Sequence, residues 1–571
     1  MQRKAAELFG SLSFFLASME FLRIFFLILI GGTPLWAQLR DSQVADPQRA
    51  DSTRSSLQRA AAAVISSNEV LIPSLRGLVV VADPDLVGRI ARPAAEGISC
   101  HGFSESQQKK MIDSLQPWLQ QPVSLDRLEQ MARAAEKAAA TQSDSFITAT
   151  YPPQEITEGR IVMVLQEPLL QQISFAGKPR FGKNFLARAV RTRPGGRASA
   201  ESIRKDLDFL NRNPFRTATA LWSPAESDVP AANLILHIQE KRPWSLYTGV
   251  DNDASDALGD ERFYLGGKFG NVMGLDHRLG WLALTSADGT SLHSTHFTYE
   301  IPLSGHKILT FSSGLSESAS SSPTTLIDNN GRFWSFRNLL EVPLPDLGPI
   351  RHHGKTGYSF RDNRYRQEAS LIDISIFQFE NTWVGEIHDL YGRTHVTMGL
   401  SWNPGESFLS SSDRIYQELG ASDANSWVAT CQIERNLSLH RWGNLALTSE
   451  AQWALENLIP SNQFAGGGAQ RVRGYDEGRV FFDKALLLST EWQFPRIALP
   501  RRTSLRPHLF LDGAWLADHG SSSNWISSTG LGMQFLWQNR CSAQLQWAQP
   551  FQRFNGASRE SEFYFSVNTF W

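Results

Sequence analysis

Hydrophobic positions along the chain fall into three successive regimes. The first is one short uninterrupted run. Arg23 precedes Ile24-Phe25-Phe26-Leu27-Ile28-Leu29-Ile30, Gly31-Gly32-Thr33-Pro34 breaks the run, and Leu35-Trp36-Ala37 follows. A basic flank, an apolar core, a breaker and a small terminal residue predict a secretory signal over residues 1–37, with Met1 and Met19 both candidate starts. The run is too short to cross about 30 Å of hydrocarbon. Cleavage after Ala37 leaves the rest of the chain outside the cytoplasm, away from ATP and nicotinamide pools. Residues 38–73 are polar and irregular, weakly helical around Ser55–Ile65, and read as a disordered leader with a transient helix.

The second regime has a helical period flanked by short strands. In 74–168, Leu78-Val79-Val80-Val81 is a buried strand. Ser104–Trp118 carries Met111, Leu115 and Trp118 at helical spacing, and Ser124–Ala140 does the same through Leu125, Leu128 and Met131, with Ser124 as N-cap. Phe146–Thr150 and Arg160–Gln166 alternate as strands about the turn Tyr151-Pro152-Pro153-Gln154. The same order recurs in 169–242: strand Leu170–Phe175, helices Asn184–Arg191 and Ala200–Asn211, strands Thr217–Trp222 and Asn233–Gln239. Two consecutive copies of one α+β topology predict a repeated module whose open edge strand accepts an extended peptide.

From 243 to 571 helical spacing stops and a period of two takes over. Val396–Trp402 alternates apolar with small or polar residues. Leu445, Leu447, Ala451 and Trp453 oppose Glu450 and Gln452, Leu486, Leu488, Trp492 and Phe494 oppose Ser489, Glu491 and Gln493, and Ala543, Leu545 and Trp547 oppose Gln544 and Gln546. A soluble sandwich also alternates. Aromatics at strand ends, polar side chains on the other face and a terminal strand Glu562–Trp571 with Phe563, Phe565, Val567 and Trp571 in phase favour the bilayer. An open edge in lipid leaves backbone groups unsatisfied, so the last strand must close on the first. At roughly 20 residues per strand and loop, this region yields about 16 antiparallel strands of a membrane β-barrel.

Composition agrees: 42 Gly, 34 Phe and 17 Trp suit strands, turns and an apolar exterior. The net charge of −2 argues against a nucleic-acid partner. The three cysteines Cys100, Cys431 and Cys541 are too few and too scattered for a disulfide scaffold or a thiolate metal cluster. The 13 histidines are scattered, with His352-His353 read as a loop pair, and Gly266, Gly267, Gly270 and Gly274 lack the following helix that a dinucleotide fingerprint requires. No catalytic residue, metal site or cofactor is expected; the chain is not read as an enzyme.

The chemistry that remains is a lumen motif. Val472-Arg473-Gly474-Tyr475 follows Gly466-Gly467-Gly468 behind α+β repeats and resembles the VRGY/F signature of the Omp85 superfamily, whose loop folds back into the barrel. An arginine in a lumen needs a carboxylate, because an unpaired buried charge costs several kcal/mol. Leu509-Phe510-Leu511-Asp512-Gly513 resembles the strand that supplies it, although here the glycine adjoins the aspartate, and the resemblance implies an Arg473–Asp512 pair.

Further stretches resemble the two-partner secretion transporters, the TpsB branch that includes the haemolysin and filamentous haemagglutinin exporters. Pro152-Pro153-Gln154-Glu155-Ile156 is similar to the end of that branch's first POTRA domain, and Asp206-Leu207 with Asn213-Pro214-Phe215-Arg216 to its second. Gly249-Val250-Asp251-Asn252 and Asn271–Asp276 resemble its lead-in to the barrel.

The resemblance implies POTRA domains at 74–168 and 169–242, a barrel at 243–571, and a candidate plug helix and linker in the 38–73 leader. It further implies a site in the outer membrane of a diderm bacterium, in contact with its lipids. The partners implied are a secreted TpsA-like client bound by the POTRA domains and the barrel-assembly machinery during biogenesis. The implied function is export of that client to the cell surface without ATP. The alternative is a factor of the BamA or TamA type that assembles other barrels; a porin or adhesin barrel would need neither the paired modules nor the lumen arginine.

Overall fold

A computed structural model describes residues 70–571 apart from 88–95, 140–146, 178–182, 225–230, 254–260, 322–327 and 555–559 and shorter stretches that include Pro153. The expected signal and the leader up to residue 69 lie outside the described residues.

The first module folds around the helical stripe read from its sequence. Ser104 caps the helix Glu105–Leu115 and forms a reciprocal capping box with Gln107, and the helix buries Met111 and Leu115 completely. The helix Leu125–Ala139 adds Met131 and Ala135, and both pack on Leu78, Val80, Ile161, Met163 and Leu165 of the sheet. The sheet runs Gly97–His101, Gly77–Val81, Arg160–Gln166, Thr148–Thr150, the first two pairings parallel and the last antiparallel.

Two strands here were not expected. Gly97–His101 is added as an edge strand of the sheet, and Val70–Ile72 pairs with Val123–Ser124 so that the module begins before residue 74 and buries Ile72 and Leu75. Both are short and carry little alternation, so only their pairing partners define them. Ser124 lies in the second of these pairings, immediately ahead of its helix.

The second module repeats the core without the added strand. Its sheet runs Leu169–Gly177, Ala231–Glu240, Arg216–Pro224 with the same parallel and antiparallel senses. Leu186, Ile203, Leu210, Leu234 and Leu236 form its centre under the helices Lys183–Ala189 and Ala200–Asn211.

Beyond Trp244 the chain forms a closed, fully antiparallel barrel of 16 strands. The stave Lys484–Gln493 resumes after a break as Ile497–Leu499, and both pieces pair with Thr503–Ala517. Leu509 and Leu511 point out at 45% and 54% exposure while Asp512 between their phases is 1% exposed, so the period of two separates an apolar outer wall from a polar interior. His352 and His353 lie within the strand Ile350–Gln367 rather than in a loop. Their alternation sends His352 outward against the Trp383 indole N–H and His353 inward toward Glu341, so they cannot act as a pair.

Turns at the end that carries the modules are short, and the long connections sit at the other end. The closing seam joins Tyr247–Asp251 to Phe570–Ser566 over five residue pairs. Leu246 and Trp571 exchange backbone hydrogen bonds at one end of it. At the other end the Asn252 side chain stands in for a further strand residue: its carboxamide accepts from the Phe565 amide and donates to the Phe563 carbonyl, both at 2.7 Å.

Candidate functional site

The connection after Asn444–Ala454 turns into the barrel, and its glycines allow it to. Gly467 bridges Val472, and a Cβ on Gly467 would come within 2.6 Å of the Asp476 carbonyl. Gly468 holds φ +109° and donates to the Tyr475 carbonyl at 2.8 Å. This tight loop presents Val472 to an apolar cluster with Phe464, Phe482, Leu516 and Ile526 on the inner wall, where Val472 is fully buried.

Arg473 beside it faces Asp512. Its Nε and Nη2 reach the two carboxylate oxygens at 2.7 and 2.9 Å, and its backbone amide adds a third contact at 3.3 Å. Such a fork is the strong form of an arginine–carboxylate contact. Ser489 donates to the same carboxylate at 2.7 Å, Glu491 takes Arg473 Nη1 at 3.2 Å, and the Phe510 ring lies 3.4 Å under the guanidinium. Two carboxylates thus surround one buried cation.

The next two residues fix the loop to the final strands. Gly474 has φ +89° and donates its amide to the Tyr564 hydroxyl at 2.9 Å. The Tyr475 hydroxyl lies 3.1 Å from the carbonyls of both Ser527 and Gln552. On the seam side, the Asp253 carboxylate accepts from the Ala469 amide at 3.3 Å. The loop therefore touches both sides of the closing seam as well as the strand that carries Asp512, three strands before the last. A polar cavity of about 230 Å³ lies between them, lined by Asp251, Asp253, Arg473, Glu491, Gln546 and Tyr564.

A second cluster joins the second module to the barrel. Asn213, 2% exposed, donates to the Gly270 carbonyl and to Asp276, each at 2.6 Å, while Pro214 is exposed. Arg216 places Nη1 and Nη2 on the two Asp276 oxygens at 3.1 Å and turns its other N–H groups to the Leu210 carbonyl. Gly270 admits this contact because a Cβ there would fall 2.1 Å from the Phe215 ring. Two stretches singled out separately in the sequence thus form one junction. Arg204 reaches Asp346 at 2.9 Å, Arg212 pairs with Glu341, and His306 approaches Asp206 at 3.1 Å.

Asp206 also accepts from the amides of Arg191 and Thr192 at 2.8 and 2.9 Å. Burial pushes its carboxyl upward, but the hydrogen bonds from His306, Thr192 and these amides outweigh that and hold it below the ordinary 3.8. A carboxyl lowered in the fold stabilises it above its unfolded pKa and loses that contribution as pH falls through the folded value. Thermal unfolding of the solubilised protein should therefore keep this contribution down to about pH 4 and lose it below. Asp206→Asn should lower neutral stability and flatten the acid limb; an unaltered limb removes Asp206 as its source.

The other expected residues have local roles. Gln154 mimics a strand residue beyond Thr150, accepting from the Val162 amide at 2.6 Å and donating to the Val162 carbonyl at 2.8 Å. Pro152 offers its carbonyl to the same carboxamide at 3.2 Å, and Pro153 lies outside the described residues. Phe563 and Trp571 are exposed on the outer wall with Phe565 half-buried between, opposite Trp547 and Leu545. The three cysteines are free, and burial pushes the Cys100 thiol up to about 11.

Sequence reasoning missed Glu491, Asn252, Tyr564 and Asp276 as members of these clusters. A tyrosine in the inward phase of the last strand between Phe563 and Phe565 was the available signal for Tyr564.

With this geometry in view, comparison with known proteins is informative. The family model described as haemolysin secretion/activation protein ShlB/FhaC/HecB matches residues 231–535, just over half of the chain. The heme/hemopexin transporter protein HuxB of Haemophilus influenzae is 25% identical over 390 residues, covering 66% of this chain and 68% of its own. The outer membrane transporter CdiB of Escherichia coli is 21% identical over 439 residues, 73% of this chain and 72% of its own. A solved structure of CdiB from Escherichia coli superposes with a TM-score of 0.68 at 15% identity, over 93% of this chain and all of that one, a likeness of fold.

Proposed function

The chain belongs to the haemolysin secretion/activation protein family ShlB/FhaC/HecB, and from that premise we propose how its parts divide the work of exporting one partner polypeptide. The protein is an outer-membrane transporter of the two-partner secretion type. The modules stand in the periplasm and the long connections face the cell surface. The client is an unfolded TpsA-like polypeptide that the POTRA modules receive through sheet edges and apolar grooves. The two edge strands of the first sheet are short, Gly97–His101 with five residues and Thr148–Thr150 with three, the latter prolonged by Gln154. The second module, docked against the barrel mouth by Arg216 and Asp276, is the better placed receiver. The client then passes the polar lumen and folds at the surface, which makes return unfavourable without nucleotide. Outer-membrane lipids surround the apolar wall, and the barrel-assembly machinery inserts it.

The observation that carries this reading is the lumen loop. Arg473 is tied to Asp512 and Glu491 on the wall, while Gly474 and Ala469 are tied to the two sides of the seam. A loop so placed obstructs the path and must rearrange when the path opens. Comparing secreted and outer-membrane proteomes of the native host with and without the gene tests the function. Loss of one large secreted protein with other barrels intact is the expected outcome; a broad fall in barrel proteins would make the chain an assembly factor.

A further inference from the structure

The strand Ser370–Asp389 is longer than its neighbour Gly392–Pro404, whose pairing with it stops at Phe379–Trp402. Residues 370–378 are paired along one edge only, with the strand Ile350–Gln367. The free edge rises at the surface end, on the rim of the lumen. An exposed edge of this kind invites a further strand.

The connection after Pro404 grips this edge from three sides. On the outer face Phe408 packs against Phe377 and Phe379, with ring centroids 4.8 and 5.9 Å apart. On the edge itself Ser410 Oγ accepts from the Phe377 amide at 3.0 Å and Ser411 Oγ from the Ser375 amide at 2.9 Å, while the Ser411 amide donates to the Ser375 carbonyl at 2.9 Å. On the lumen face the short helix Asp413–Glu418 lays Tyr416, 1% exposed, over Ile374 and Ile376 with Ala421, Ala424 and Ile459. Asn403, fully buried, orients Tyr416 and Ser410. Ser422 and Asn457 tie this clasp to the connection that carries the lumen loop.

The clasp imitates a strand with serine hydroxyls. With the Tyr416 hydroxyl, which donates to the Ser375 carbonyl at 3.3 Å, it supplies four edge contacts at two residues where a true strand would continue the ladder along 370–378. We propose that this edge is a docking site for an extended segment of the exported polypeptide as it leaves the lumen, and that residues 403–424 occupy the edge in its place at rest. The position at the exit selects that occupant, because an emerging unfolded chain offers backbone hydrogen bonds of any sequence. The clasp leaves when the client strand adds, which uncovers the exit and opens the Tyr416 cluster. The proposal rests on the export reading above.

The test uses the full-length protein in its host. Deleting the gene first identifies the client as the protein lost from the medium; if nothing is lost, the export reading itself fails. Next, Ser375→Cys and Ser411→Cys are combined in a background with Cys100→Ala, Cys431→Ala and Cys541→Ala that is checked for secretion and for a heat-modifiable barrel. Joining the two thiols by oxidation or a short cross-linker should drop secretion to the level of the deletion, and reduction should restore it. A photo-reactive residue at Ser375 in a Tyr416→Ala variant should form an adduct with the client during secretion. Undiminished secretion with the clasp locked, or adducts to the chain's own 403–424 segment alone while the client is secreted, would overturn the proposal.

Discussion

Arg473→Ala should leave a folded, heat-modifiable barrel in the outer membrane and abolish most secretion of the client. Removing the guanidinium strands Asp512, whose side chain has no solvent exposure, with Ser489 as its remaining side-chain donor. Breaking a buried pair in this way costs about 3–5 kcal/mol. That penalty falls on the loop, because the sixteen-strand ladder does not run through it. The loop would give up its seat on the wall and its amide contact to Tyr564.

The conservative series has a definite order. Arg473→Lys keeps the charge but cannot span both Asp512 oxygens, so it should secrete at an intermediate level. Asp512→Asn should be milder than Arg473→Ala, since Glu491 and the face of Phe510 still hold the cation. Secretion of the client into the medium, measured beside barrel abundance, decides the series. Wild-type secretion by Arg473→Ala would remove the loop from the mechanism.

Asp276→Ala should have the second largest effect, at the junction of module and barrel. Its partner Arg216 has a fully buried side chain and would lose its carboxylate, with the Leu210 carbonyl and the face of Phe185 still beside it. Asn213 would lose one of its two acceptors at the same time. The expected cost is again about 3–5 kcal/mol. The solvent-exposed Arg133–Glu129 pair of the first module is worth at most about 1 kcal/mol. Limited proteolysis of the purified protein should cut between the second module and the first barrel strand in Asp276→Ala, and secretion should fall with it. Arg133→Ala should do neither. Equal protease resistance of Asp276→Ala and wild type would show that the other junction contacts suffice to dock the module.

The Arg473–Asp512 contact was named from a motif and a strand, yet Glu491 was not, although it stood in the sequence as the polar member of an alternating strand. Alternation states which face a residue takes, not which loop will arrive there. Asn213-Pro214-Phe215-Arg216 and Asn271–Asp276 were likewise visible as two stretches, and their meeting through Arg216 and Asp276 was not, because sixty positions separate the pair.

The sequence by itself determined what is local and periodic: two helical stripes flanked by short strands, repeated, then a long run of period two with glycine, aromatics and a lumen motif. Each follows from side-chain direction along one element, which the neighbouring few residues fix. Only the tertiary structure decided the added edge strand of the first module, the junction at Asp276, the loop's ties to both sides of the seam and the clasp on the edge at 370–378. These depend on barrel closure and on unequal strand lengths, which bring distant backbone groups together and leave one edge without a strand partner. A chain read in order carries no record of which distant segment will satisfy those groups.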